Sequence, residues 1–239
     1  MSKVVIVTGA SRGIGLAVAR HLLAHAHKVV LVARTAAPLA ALKNEFPSQV
    51  EYMTVDATDF AANAKIVELA LQTFGRLDGV VINHAALTPL ARLADADIDE
   101  WKRLYDVNVF STVALVKAVI PPLRAAHGRI VFTSSGAALR AYASWAAYGS
   151  SKLAGNSVVQ HLAVEEPDIV SVAVGPGRVD TDMQKELREQ GQAVMADKDY
   201  AGFVEAFQDG KLNPPEKPAE VIAKLALDAA ADLSGQCVK

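Results

Sequence analysis

The chain has 239 residues, 51% of them hydrophobic and 21% charged, and its 24 Lys and Arg against 26 Asp and Glu leave a net charge of −2. This composition suits a folded domain with a full core and excludes intrinsic disorder, while the near-zero charge offers no field favouring nucleic acid or an anionic membrane. Cys237 is the single cysteine, which excludes an intrachain disulfide and a cysteine metal cluster. A strand-like run opens the chain without a signal-peptide layout, and the apolar runs look too short and too interrupted for a membrane helix; the expectation is a cytoplasmic protein.

Strand-like and helix-like segments alternate along the chain. Residues 4–7, 29–33, 50–55, 79–82, 129–133 and 169–174 are short, β-branched apolar runs and predict strands; residues 235–238 predict a short last one. Helical spacing covers 16–23, 39–46, 61–74, 98–126 and 148–166, with a further helix from Pro218 through Leu227. Pro121 and Pro122 fall inside the longest pattern and predict a kink or division there. The acidic run 95–100 precedes that pattern and suits a helix start, where negative charge meets the positive dipole end. Residues 177–215 carry no clear pattern and predict a substrate lid. The alternation implies right-handed βαβ units. We therefore expect one domain over 1–239: an α/β, Rossmann-like, doubly wound parallel sheet of about seven strands with helices on both faces.

The run Thr8-Gly9-Ala10-Ser11-Arg12-Gly13-Ile14-Gly15 sits between a predicted strand and a predicted helix. Its glycines permit a tight turn and close backbone approach to a pyrophosphate, which the helix amino terminus would bind. The second predicted strand ends in Arg34-Thr35, without the acid that bonds a ribose 2′-hydroxyl in NAD sites. Arg34, Thr35 and Arg12 suit a 2′-phosphate instead, which points to NADP(H). Tyr148 and Lys152 lie four apart on one helical face, so an ammonium can act on a phenol. Ser135 lies thirteen residues before Tyr148, at the end of a predicted strand where ligands bind an open sheet. This chemistry requires no metal, and none is expected.

These motifs, with Asp56, Asn83-His84-Ala85-Ala86, Asn108 and Pro176-Gly177 followed by Thr181, resemble the short-chain dehydrogenase/reductase family over essentially the whole chain. The resemblance implies a catalytic tetrad of Asn108, Ser135, Tyr148 and Lys152. Ser135 and Tyr148 would bond the substrate oxygen, and Tyr148 would donate a proton. Lys152 would bind the nicotinamide ribose and lower the tyrosine pKa, and Asn108 would hold a water linking Lys152 to solvent. Ser134 is the competing serine, and the spacing to Tyr148 favours Ser135. The implied cofactor residues are Gly9, Ser11, Arg12, Gly13, Ile14, Gly15, Arg34, Thr35, Asp56, Ala57, Asn83, Ala85, Tyr148, Lys152, Pro176, Gly177, Val179 and Thr181. The family usually has Asn-Asn-Ala-Gly where this chain has residues 83–86. Ala86 then threatens the backbone beside the nicotinamide ribose, and His84 is expected to be structural rather than a base.

Residues 34–39, 144–152, 179–184 and 233–236 resemble the benzil reductase group, itself similar to sepiapterin reductase. That resemblance implies an NADPH-dependent reduction of one carbonyl of a vicinal aromatic diketone to an S-hydroxyketone. Ser135, Trp145, Tyr148 and Met183 are the expected substrate residues, with Leu87, Leu139, Met195, Tyr200 and Phe203 as further candidates for an apolar pocket. Alternatives are a reductase of sepiapterin, a steroid, a sugar or a 3-oxoacyl chain with the same tetrad, and a non-catalytic NADP(H)-binding sensor. In family relatives the helices matching residues 104–119 and 157–164 pair across a twofold axis, which implies a homodimer or homotetramer.

Overall fold

The structure, a computed structural model, describes residues 2–239. Seven strands form one parallel sheet: β1 (Val4–Thr8), β2 (Lys28–Ala33), β3 (Val50–Thr54), β4 (Gly79–Ile82), β5 (Arg129–Thr133), β6 (Val170–Val174) and β7 (Cys237–Val238). Their order is β3-β2-β1-β4-β5-β6-β7. Every residue of β1, β4 and β6 is buried. A parallel strand covered on both faces needs apolar side chains at successive positions, which is why these runs are continuous rather than alternating.

The two faces divide the side chains by parity. Val5 and Val7 of β1 pack with α1 (Gly13–Ala24) and α9 (Glu216–Asp228), through Val18, Leu22, Ile222 and Ala226. Val4 and Ile6 point the other way. They join Ile66 of α3 (Ala62–Phe74), Leu115 and Val119 of α5 (Ser111–Ala126) and Val159 of α6 (Ala146–Glu165). A further helix, α2 (Ala36–Glu45), follows β2; it starts three residues earlier than predicted because Pro38 lies in its first turn, where a missing N–H costs nothing. The chain crosses back to β4 beside β1 after completing β3, so the strand order reverses between β1 and β4. Ligands bind at such a reversal, beyond the carboxyl ends of the strands.

Three expectations change. The long helical pattern divides at Asp106–Phe110, a π-turn between α4 (Ile98–Tyr105) and α5, and not at Pro121 and Pro122. Val119 and Leu123 are fully buried on either side of the prolines, and α5 continues through them against the core. At the π-turn the Ser111 and Thr112 hydroxyls donate to the Val107 and Asn108 carbonyls. Second, α4, the π-turn and α5 together make 29 residues with a mean hydropathy window of 1.4, long and apolar enough to cross a membrane; here Leu115, Val116, Val119 and Leu123 are instead buried in the core. Third, residues 177–215 are largely helical: α7 (Asp182–Gln190) and α8 (Asp197–Gln208). Met183 and Leu187 are the only apolar residues of α7, so its apolar stripe was too thin to register against the surrounding polar residues. The acidic run does start a helix: Asp97 caps α4, accepting from the Asp99 and Glu100 amides at 2.8 and 3.1 Å.

Candidate active site

A cavity of about 810 Å³ opens along the carboxyl ends of β1, β2, β4, β5 and β6. It is lined by Gly9, Ser11, Arg12, Gly13, Ile14, Arg34, Thr35, Asp56, Ala57, Asn83, Ala85, Pro176, Gly177, Val179 and Thr181, and by Ser135, Trp145, Tyr148, Lys152 and Met183. Two of the predicted residues lie behind it, Gly15 and Asn108. The backbone explains the glycines. Gly9 has φ +63°, and a Cβ on Gly15 would lie 2.3 Å from the Gly9 carbonyl oxygen, so only glycine lets α1 begin against the turn. The side chain of Arg12 makes no cap bond to the α1 amides, which point into the cavity end that it shares with Arg34.

The adenosine end carries charge of both signs. Arg12 Nη1 is paired with Asp182 Oδ2 at 2.9 Å, the first residue of α7. Asp56 accepts from the Thr58 amide at 2.9 Å and its hydroxyl at 2.7 Å; these bonds, with the nearby Arg34 charge, hold the Asp56 carboxyl below the usual carboxylate range. Asn83 donates from its backbone to Thr8 Oγ1 at 3.0 Å and from its side chain to the Gly9 carbonyl at 3.4 Å.

His84 is a buried tie. Ser111 Oγ donates to the Val107 carbonyl, so it accepts from His84 Nε2–H at 2.7 Å. Nδ1 then accepts from the Thr8 hydroxyl, also at 2.7 Å, in preference to the Val81 carbonyl at 3.3 Å. Burial, reinforced by the Lys152 charge, lowers the His84 pKa to about 4, so the ring is neutral and both nitrogens are engaged. Ala86, two residues on, lies outside the left-handed region, so its backbone conformation does not require the glycine usual there. Its N–H and C=O bond Asn108 Oδ1 and Nδ2 at 2.8 and 2.9 Å.

The Asn108 amide donates to Ala86 and, at 3.0 Å, to Ser151 Oγ, so both amide hydrogens are spent. The side chain clamps the loop after β4 to α6. Ser111 and Ser151, which complete these two networks, escaped the sequence reading; their helical offsets from Asn108 and Tyr148 were the only signal.

Tyr148 occupies the first turn of α6 and is 6% exposed, with Lys152 one turn on and 2% exposed. Lys152 Nζ donates to the Thr133 carbonyl at 2.8 Å and lies 5.9 Å from the centre of the Tyr148 ring. Burial pushes the Tyr148 phenol up, with the Ser135 hydroxyl acting in the opposite direction. Desolvation brings the Lys152 ammonium down to about 7. The expected lowering of the phenol pKa by lysine is not seen in the cofactor-free site: burial raises the phenol, and Lys152 Nζ is turned to the Thr133 carbonyl. Ser135 begins the short turn Gly136–Ala138 and accepts from the Ala137 amide at 3.1 Å, which fixes its hydroxyl. Ser134 points away and donates to Asn156 Oδ1 at 2.6 Å. Around Tyr148, Leu87, Trp145, Met183, Leu187, Met195 and Phe203 form an apolar cluster with Tyr200 at its edge. Leu139 is 65% exposed and not among the lining residues; the turn that fixes Ser135 carries it outward.

The comparisons agree with this geometry. Residues 3–192 match the family model described as short chain dehydrogenase, and the chain belongs to that family. It is an oxidoreductase. A Schizosaccharomyces pombe protein described as an uncharacterised oxidoreductase is 43% identical over 99% of this chain and 96% of its own length. A Saccharomyces cerevisiae benzil reductase, described as (S)-benzoin forming, is 39% identical over 100% of this chain and 96% of its own. The crystal structure of the KRED1-Pglu enzyme superposes with a TM-score of 0.97 at 39% identity, covering 99% of this chain and 100% of that one.

Proposed function

We propose that the protein is an NADPH-dependent carbonyl reductase that reduces one carbonyl of a vicinal aromatic diketone such as benzil to an S-hydroxyketone. The observation that carries this reading is the meeting of Ser135, Tyr148 and Lys152 with the glycine turn in one cavity. The cradle suits a dinucleotide: Gly9 and Gly13 line it with left-handed φ, and the α1 amides lie open to a pyrophosphate. Arg12 and Arg34 would hold the 2′-phosphate, with Thr35 beside them, and Asp56 would accept from the adenine amino group. Pro176, Gly177, Val179 and Thr181 would flank the nicotinamide. When bound, NADPH supplies the hydride.

The residues then divide the proton chemistry. Ser135 and Tyr148 hold the substrate oxygen by hydrogen bonds. Tyr148, kept protonated at neutral pH by its burial, gives its proton to that oxygen as the carbonyl carbon accepts hydride. Lys152, near half-charged at neutrality, would bind the ribose of the cofactor and holds positive charge near the phenol oxygen as it loses its proton. Asn108 acts by position, clamping the loop after β4. Leu87, Trp145 and Met183 would pack an aryl ketone. The 39% identity to a benzil reductase supports the diketone. Residues 177–215, with α7 and α8, serve as the lid. Phe110, Val113, Leu153 and Val164 leave apolar side chains exposed on the π-turn, α5 and α6, and support a homodimer through these helices. The exposed thiol of Cys237 fits a reducing, cytoplasmic setting.

The test is NADPH oxidation by the purified protein with benzil, sepiapterin and a 3-oxoacyl ester, with NADH as control. Fast NADPH-selective formation of (S)-benzoin is expected, and Tyr148→Phe lowers kcat by about 10²–10⁴-fold while NADPH binding persists. Turnover undiminished in Tyr148→Phe overturns the proton-donor role.

A further inference from the structure

Arg12 is already engaged by an acid of the protein. Its Nη1 meets Asp182 Oδ2 at 2.9 Å, while Nε and Nη2 have no hydrogen-bond partner among the described residues. Asp182 is the first residue of α7, where Thr181 supplies no side-chain cap, so its carboxylate lies at the positive end of the helix. The next cation of α7, Lys185, is turned to Glu189 at 3.8 Å. Both side chains of the Arg12–Asp182 pair are exposed, at 66% and 60%. Such a pair is weak and readily exchanged for another.

The pair stands between two cavities. Arg12, Gly13, Thr181 and Asp182 line the large one along the strand ends, and also a second one of about 670 Å³ that Lys185, Arg188 and Phe207 help to bound. The guanidinium therefore has open space on either side. The sheet order sets the two directions in which it can be drawn. Arg34 follows β2, the neighbour of β1 on one side, about 5 Å away. The helix α7 follows β6, three strand spacings from β1 on the other side, about 14 Å. A 2′-phosphate shared by Arg34 and Arg12 thus draws the guanidinium away from Asp182, and phosphate and carboxylate compete for it. The same helix carries Met183, whose sulfur lies 3.9 Å from the Tyr148 hydroxyl, and Leu187 in the apolar cluster. What holds the start of α7 therefore bears on the substrate chamber.

We propose that Asp182 is a specificity determinant for the cofactor, an internal rival of the 2′-phosphate that ties α7 to the glycine turn until NADPH takes Arg12 from it. This rests on the reading of Arg12 and Arg34 as the 2′-phosphate site and deepens it. NADH has no phosphate at that position, so it leaves the Arg12–Asp182 pair in place and α7 tethered. NADPH breaks the pair and frees the start of α7, and the Asp182 carboxylate keeps the favourable field of the helix end when Arg12 leaves. By linkage, a tether that NADPH must break weakens NADPH binding in turn. Asp182 therefore lowers the affinity for NADPH and leaves that for NADH unchanged.

The experiment titrates NADPH and NADH separately into the wild type, Asp182→Asn, Arg12→Ala and the double variant at low ionic strength, followed by tryptophan fluorescence; it needs no carbonyl substrate. Asp182→Asn is expected to tighten NADPH binding about three- to fivefold and to leave NADH within about 1.5-fold. In the Arg12→Ala background it should change neither cofactor by more than about 1.5-fold. Asp180, two residues earlier and exposed, makes no ion pair among the described residues. Asp180→Asn removes the same charge and should leave NADPH within about 1.5-fold. Hydrogen exchange reads the tether: with each cofactor saturating, the α7 amides of the wild type exchange faster under NADPH than under NADH, and those of Asp182→Asn exchange equally. The proposal is overturned by unchanged or weaker NADPH binding in Asp182→Asn, or by an equal gain for NADH. A gain that survives Arg12→Ala or is matched by Asp180→Asn, or α7 exchange in the wild type that is indifferent to the cofactor, also overturns it. A wild type that binds NADPH no tighter than NADH removes the 2′-phosphate reading itself, and the proposal with it.

Discussion

Lys152 holds a stability cost that its replacement should release. Its Nζ is buried with one hydrogen bond, to Thr133, and desolvation takes its pKa from 10.5 to about 7. Below pH 7 both the folded and unfolded states carry the charge, and the folded state bears the full burial penalty, about 5 kcal/mol from the shift. Between about pH 7 and pH 10.5 the unfolded chain binds the proton that the folded chain has shed, so stability rises with pH across that window. The rise amounts to about 3 kcal/mol from pH 6 to pH 9. Lys152→Met removes the titration while keeping the apolar stem, and loses one hydrogen bond of about 1–2 kcal/mol. At pH 6 the cofactor-free variant is therefore expected to be more stable by about 2–4 kcal/mol, and its advantage to shrink as the pH is raised. Reductase activity falls at the same time. Urea denaturation of both proteins from about pH 6 to pH 9 measures this, since titrating groups other than His84, which feels the Lys152 charge, cancel in the difference. A difference that does not change with pH, or that grows with pH, refutes the reasoning.

Two further outcomes follow from the packing and the charges. Gly155 lets α6 lie directly on β5: a Cβ there would sit 2.2 Å from Phe132 Cζ. Gly155→Ala is expected to destabilise by about 1–3 kcal/mol and to lower the thermal midpoint; an unchanged melt would show that the helix is free to shift. Arg12→Ala and Arg34→Ala should each raise the KM for NADPH about tenfold and leave that for NADH within about twofold, as steady-state kinetics with both cofactors will test. Parallel losses for the two cofactors would remove the 2′-phosphate assignment.

Much of the architecture was legible because parallel strands buried on both faces leave continuous β-branched runs. Val4 to Val7, Val29 to Val32 and Val170 to Val174 could hardly be anything else. The glycine turn was equally legible, since a Cβ at Gly15 meets the Gly9 carbonyl and no other residue fits. The order Ser135, Tyr148, Lys152 placed the reacting groups because a strand end and one helical turn determine where they lie. The helices of residues 182–208 were not legible: their polar surfaces hide a stripe of a few residues that gains meaning only against Trp145 and Tyr148.

What only the tertiary structure decided concerns partners remote in sequence and the water they displace. Arg12 engages Asp182 across 170 positions, and no spacing rule points to that pair. Burial raises the Tyr148 phenol and lowers Lys152, which their four-residue separation alone did not reveal. The division of the long helix fell at Asn108, where the Ser111 and Thr112 hydroxyls take the Val107 and Asn108 carbonyls and His84, from the loop after β4, holds Ser111 in place. Local sequence thus determined which elements form and which residues stand at their ends. Desolvation and long-range hydrogen bonds, which depend on everything packed around a group, determined the charge and freedom each residue keeps.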